Sequence, residues 1–185
     1  MGDRQELERQ LEAAAADLHA LLAGLTEAQI NWRPGPDRWS IGDCVSHLNV
    51  SDRAVLPALD RAIESAVAHG WKAQGSFRHG WFTRWMIRSM EPPVTRRFRT
   101  FPVFAPVDAR HDAAMLLADF AATRAELRER LARADGLDWG RTRVTSPVSR
   151  WLRLPFGGYL AFLLAHDRRH LWQARQVRND PAFPA

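Results

Sequence analysis

The chain of 185 residues contains one cysteine, Cys44, one tyrosine, Tyr159, and one lysine, Lys72. A single cysteine excludes an internal disulfide framework. No apolar run approaches the roughly 20 residues needed to cross a bilayer, so no membrane partner is expected. The first residues, Met1-Gly2-Asp3-Arg4-Gln5-Glu6, have neither the apolar core of a secretion signal nor the Ser or Thr that a myristoylation site wants at position 6. A cytoplasmic protein is the expectation. Because all but one of the 26 basic residues are arginine, the net charge of +5 and the isoelectric point near 10.7 reflect a preference for Arg over Lys. Charge alone therefore says little about partners.

The chain is 46% hydrophobic and 25% charged, the composition of an ordinary folded domain, with eight Trp and nine Phe to fill a core. Its length suits one domain over residues 1–185. From Gln5 to Leu25 the residues Leu7, Leu11, Ala14, Leu18, Leu21 and Leu25 recur at helical spacing. Thr26 with Gln29 predicts a capping box and a short turn of helix before Arg33-Pro34-Gly35-Pro36. Ser40 with Asp43 starts a second long helix that runs to about Ala68. Pro57 inside it predicts a kink near Arg53 to Pro57, or a break between two helices.

A shorter helix is expected over Trp81 to Met90, ended by Pro92-Pro93. Asp108 is read as the cap of the next, with Leu116, Phe120, Leu127 and Leu131 inward and Arg124, Glu126 and Arg128 largely outward. The turn-rich stretch Asp138 to Pro155 leads to a last helix, about Phe156 to Arg178. No internal repeat and no alternating strand is evident. The sum is an all-α bundle of four or five helices.

Within the last helix, His166 and His170 stand four residues apart, one above the other on a face shared with Tyr159, Leu163 and Val177. On a core-facing stripe an imidazole must find a hydrogen bond or a metal ion. His47 is the best third ligand, at the edge of its helix's apolar stripe, as suits the lip of a cleft. Three histidines on two helices leave coordination positions open, the arrangement of a catalytic site. Asp43 offers either a carboxylate for the second ring nitrogen of His47 or a helix cap. The plain alternative for the pair is two core histidines bonded to backbone carbonyls. His19, His69, His79 and His111 have no partner at ligand spacing and read as surface or packing residues.

The segments Trp39-Ser40-Ile41, Val45-Ser46-His47-Leu48 and His166-Asp167-Arg168-Arg169-His170-Leu171-Trp172-Gln173 together resemble the DinB-like superfamily, the damage-inducible and YfiT-like group. The resemblance implies a four-helix bundle with a divalent metal, commonly zinc or nickel, held at one end by three histidines. These ligands fall on His47, His166 and His170. It also implies homodimers, and relatives that include transferases and isomerases using low-molecular-weight thiols. Pro57 and the Arg-, Phe- and Pro-rich stretch from Arg88 to Val107 depart from the pattern and leave the inherited substrate open.

Three neutral imidazoles leave a metal its full charge, which lowers the pKa of bound water toward ~7 and deprotonates a thiol. Hydrolysis and thiol transfer of a small molecule are thus both reachable. Tyr159 is a candidate proton donor or substrate contact, against the plainer reading of a buried hydroxyl on a backbone carbonyl, and Gln173 is placed to line the site. Asp167 stands where a metalloprotease His-Glu-x-x-His motif has its Glu, but a shorter carboxylate reaches less far. Cys44 is a ligand or nucleophile by position and an inert core thiol by precedent.

Two other classes compete. One is a non-catalytic stress-response or interaction bundle with a structural metal or none. The other is single-strand binding by Arg78, Arg84, Arg88, Arg96, Arg97 and Arg99 interleaved with Phe77, Trp81, Phe82, Trp85, Phe98, Phe101 and Phe104. The apolar spacing of Trp81 to Met90 also fits a packed helix or a dimer face, so nucleic acid is not the expected partner.

Overall fold

A computed structural model describes residues 2–94, 100–107 and 110–185. The elements in chain order are α1 (Gly2–Leu22), α2 (Glu27–Asn31), α3 (Ile41–Ala68), α4 (Trp81–Met90), a 3-10 turn at Pro102–Phe104, α5 (Ala113–Arg133), β1 (Arg143–Ser146), β2 (Ser149–Pro155) and α6 (Phe156–Arg178). The chain is mostly helical, as the periodicity predicts, and both capping boxes form at Thr26 and Ser40. The proposed cap Asp108 lies outside the described residues, as do Arg96, Arg97, Phe98 and Arg99. The side chain that accepts from the first turn of α5 is Asp112, on the Met115 amide at 2.9 Å.

Three expectations need correction. First, the chain is not all-α: β1 and β2 form an antiparallel hairpin that pairs Val144 with Leu154 and is irregular between Thr145 and Ser146. Val144 and Leu154 face the core while Arg143, Arg150 and Arg153 face solvent. So few apolar positions, with Pro147 between the strands and Pro155 at the end, leave too weak an alternation to read. Second, of the two alternatives at Pro57, the break into two helices does not form, since α3 continues through it. Arg53 and Pro57 are both exposed, so water can satisfy the carbonyl that the missing amide leaves free. Third, Arg124 is not outward but among the largest fully buried side chains, 1% exposed.

The four long helices pack in a ring, α3 and α1 each touching α5 and α6. Their apolar residues fall into two compartments. One holds Leu7 and Leu11 of α1, Val55 to Ala66 of α3, Leu127 and Leu131 of α5, and Phe156 to Leu164 of α6. The other holds Ala14 to Leu22, Ile41 to Leu48, Leu116, Phe120 and Leu171 to Val177. It follows that α1 and α6 run one way and α3 and α5 the other. Arg178 accordingly donates to the carbonyls of Ala20 and Leu21 at the same end of α1. Parallel α3 and α5 need a return crossing, and α4 lies on that connection. It packs against α6 where Gly157 and Gly158 carry no side chain. A Cβ on Gly158 would stand 2.6 Å from Thr83 Cγ2, and one on Gly157 2.7 Å from the Phe77 ring.

Between the compartments, Arg124 of α5 donates to Asp167 of α6 at 2.7 Å and to Asp52 of α3. All three side chains are fully buried. Burial pushes both carboxyls up, Asp52 to about 7, against the opposing pull of the guanidinium. Removing one partner of such a group strands the others in a dry interior. Arg124→Ala is therefore expected to lower the unfolding free energy by about 3–5 kcal/mol in urea denaturation. A loss under about 1 kcal/mol would mean that the carboxyls do not depend on it.

Candidate metal centre

Ser40 and Asp43 fix where α3 begins, and His47 follows one turn after Asp43. Ser40 Oγ accepts from the Asp43 amide at 3.0 Å, and Asp43 accepts from the Ser40 amide at 2.8 Å. Arg33 grips the same carboxylate with two nitrogens at 2.9 and 3.1 Å, and His111 approaches it at 3.3 Å. Burial works to raise the Asp43 pKa, but the bonds from His111, the Ser40 amide and Arg33 outweigh it and hold the carboxyl below its usual range. Asp43 is thus the helix cap and not the carboxylate behind His47. His111 is a buried packing residue lying over Gly42, where a Cβ would meet its ring at 2.5 Å.

His47 is itself buried, 3% exposed, and not on a lip as its place on the helix suggests. Its Nδ1–H donates to the Phe104 carbonyl at 2.5 Å, which leaves Nε2 as the lone-pair nitrogen. The 3-10 turn that supplies this carbonyl is tied to α3 by the Val107 amide, which donates to Ser46 Oγ at 3.0 Å. Part of the Arg-, Phe- and Pro-rich stretch therefore serves the site directly. Nothing in the sequence spacing links position 47 to position 104.

His47 Nε2 lies 3.1 Å from His166 Nε2. The ring centroids are 5.0 Å apart for His47 and His166, 4.4 Å for His47 and His170, and 4.5 Å for His166 and His170. One ligand nitrogen from each of the three lies within 4.8 Å of the others. With metal–nitrogen bonds of about 2.0–2.1 Å, two nitrogens on one ion stand roughly 2.9–3.4 Å apart, which brackets the separation of His47 and His166. The Nδ1 atoms of His166 and His170 are buried and have no hydrogen-bond partner among the described residues. The donor set fits a divalent ion.

All three imidazoles are poor proton acceptors. Burial lowers His47, against the Phe104 carbonyl that favours its charged form. Burial, then the charges of His47, Arg169 and Arg124, brings His166 down to about 3. His170 falls well below its usual value for the same first reason, with Gln173 alone opposing. Neutral rings with nitrogens this close together suit a metal better than a proton.

Trp39, directly before the cap, packs its ring 4.9 Å from His47 and 5.6 Å from His170. Gln173 is half-buried and acts on the His170 ring, as its position suggests. Tyr159 is not brought to the three histidines. It belongs to the apolar compartment beyond the Arg124 layer, with Ser146 near its hydroxyl, and burial pushes its pKa up to about 12. Asp167 gives its carboxylate to Arg124, which removes the metalloprotease reading. Cys44 is fully buried and its thiol is pushed far up by burial, so it is an inert core residue.

Three histidines gathered on two antiparallel helices, inside a mostly helical chain, define a helical protein with a candidate three-histidine metal centre. The family model described as DinB superfamily matches residues 10–174, and the chain belongs to that superfamily. Neither the curated proteins nor the solved structures offer a match to the chain.

The lowered histidines set a sign for the metal-free protein. They are neutral when folded and protonate near 6.5 when unfolded, so the unfolded chain takes up more protons as pH falls. Stability is full above 6.5 and is lost as pH falls toward the value of about 3 reached by His166. In chelator, the parent is expected to lose about 1–2 kcal/mol more than His166→Gln between pH of about 7 and 5. Urea midpoints at the two pH values check this, and equal losses would mean that the ring is not held neutral.

Proposed function

We propose that this chain is a metal-dependent enzyme in which His47, His166 and His170 hold one divalent ion, zinc or nickel, and a small molecule undergoes hydrolysis or thiol transfer. One observation carries the reading: imidazoles from α3 and α6 converge, with one ligand nitrogen of each within 4.8 Å of the others and with lowered basicity. When bound, the ion would supply Lewis acidity and lower the pKa of a water or low-molecular-weight thiol toward neutrality. The chain's own part is to keep the three rings neutral, fix His47 through the Phe104 carbonyl and steady His170 through Gln173. Trp39 excludes water from one side of the cluster.

Arg169 is buried on α6, donates to the Ser89 carbonyl at 3.5 Å, and its charge is felt by both His166 and His170. A cation there favours an anionic small molecule. The proposal takes the four long helices as a four-helix bundle forming a single domain, working in the cytoplasm as a homodimer in keeping with the resemblance.

Metal analysis of protein purified without a histidine tag tests the reading. One equivalent is expected in the parent and none in His47→Ala or His170→Ala. Turnover of thiol–acceptor pairs, or of small esters and amides, is expected to vanish on chelation and return with the metal. A parent that takes up no metal would reduce the chain to a non-catalytic helical scaffold.

A further inference from the structure

The surface formed by α4 and the hairpin contributes none of the three clustered histidines, and it combines two properties. Its aromatic rings are bare: Trp81 is 76% exposed, Trp85 60%, Trp151 81% and Phe82 42%. One face of α4 packs on α6 through Thr83 and Met86, as the apolar spacing suggests, and these rings lie off that face. The arginines there also lack acids. Elsewhere Arg4, Arg53, Arg130, Arg133, Arg168 and Arg175 are met by carboxylates, while Arg38, Arg61 and Arg178 form no ion pair among the described residues. Among the described residues Arg78, Arg84, Arg88, Arg143, Arg150 and Arg153 form no ion pair. Of the nearby acids, Glu91 is taken by Arg168, and Asp138 caps the amides of Gly140 and Arg141.

Between α4 and the hairpin runs a groove of about 340 Å³, whose lining includes Arg78, Arg143 and Arg153 together with Phe77, Trp81 and Phe82. None of the three clustered histidines lines it. We propose that this groove binds single-stranded nucleic acid, with phosphates on Arg78, Arg143 and Arg153 and unpaired bases stacked on Trp81 and Phe82. Guanidinium groups pair phosphate oxygens two at a time and stack on planar rings, so the use of Arg in place of Lys favours this ligand. The rings are arranged as platforms: Phe82 and Trp85 stack at 24° with centroids 6.0 Å apart, and Trp81 meets Phe82 edge-on at 5.9 Å.

The same observations weigh against other occupants. A second copy across a twofold axis would set unpaired guanidiniums against their own kind. A bilayer is flat and rewards protruding rings. A concave wall of rings and cations rewards a ligand that is thin, charged along one edge and flat-faced, as unpaired nucleotides are.

Fluorescence anisotropy of end-labelled oligothymidylate and oligoadenylate of about 12 nucleotides, within the usual site sizes, tests the proposal. Saturable binding is expected at low salt, its log affinity falling against log salt with a slope of about −2 for three neutralised phosphates. The combined Arg78→Gln, Arg143→Gln and Arg153→Gln variant is expected to bind at least about tenfold more weakly and to lose the slope. Trp81→Ala should weaken binding roughly tenfold and leave the slope unchanged. These side chains are exposed, so far-ultraviolet circular dichroism and metal content should match the parent.

The proposal is overturned by an absence of saturable binding, by a duplex that binds as tightly as the strand, or by unchanged affinity in the arginine variant. Binding to phosphatidylserine vesicles without binding to the oligonucleotides would assign the surface to lipid instead. A smaller sedimentation coefficient in Trp81→Ala would assign it to a second copy.

Discussion

The guanidinium of Arg124 holds together the one stratum of this molecule that apolar packing cannot. Above and below it, leucines, isoleucines and aromatic rings fill two separate compartments. Across the middle run His47, Asn49, Ser51 and Asp52 on α3, Thr123 and Arg124 on α5, and His166, Asp167, Arg169 and His170 on α6, every one but His166 buried. A dry layer of polar groups is stable only where its members satisfy one another. By reaching Asp52 and Asp167 at once, Arg124 ties together the two helices that carry the histidines. Asp167 adjoins His166 in sequence, and Asp52 lies five residues past His47. The ionic contact thus sets the relative height of α3 and α6, which decides whether the three rings meet.

The division of labour around the rings follows from helix geometry. Successive residues on α6 point about 100° apart, so His166 can face α3 while Asp167 faces α5. Neither role can be moved by one position without losing the other. His47 is fixed from outside its own helix, by a carbonyl of the 3-10 turn that also bonds Ser46 through the Val107 amide. A backbone carbonyl sets the tautomer as a carboxylate would, but adds no negative charge beside the ring.

Local information made much of this legible. The capping boxes at Thr26 and Ser40, the bounds of α4 and α6, and the shared face of His166 and His170 all follow from spacings within one or two turns. What stayed hidden depends on groups far apart in sequence. Arg124 reads as outward because an arginine between Thr123 and Glu126 ordinarily is, and its burial needs two aspartates 72 and 43 residues away. Asp43 had two readings, and the choice was made by Arg33 and His111, neither of which its own helix contains. The hairpin escaped because its only buried apolar residues are Val144 and Leu154, the other buried position being Ser146. His47 was legible as a ligand candidate but not as a buried one, since the turn that covers it is separated by more than fifty residues.

On the proposed reading, charge favours an exchangeable ligand over a purely structural ion. Structural metal sites are commonly closed by thiolates, which neutralise the ion within the fold. Here the three clustered side chains are neutral, and the only cysteine is a buried thiol in the neighbouring compartment. The two carboxyls of the layer are turned to Arg124, and burial keeps one of them, Asp52, titrating near neutrality. Arg169 adds positive charge on the same side as His166 and His170. Among the described residues a dication placed among these rings would find in the layer only carboxyls already turned to Arg124, and in a low-dielectric setting an unbalanced charge is costly. On the proposed reading, further balance would come from a small anion or an ionisable molecule that the ion itself makes acidic. A site electrically incomplete without its ligand would, on that reading, bind and exchange it.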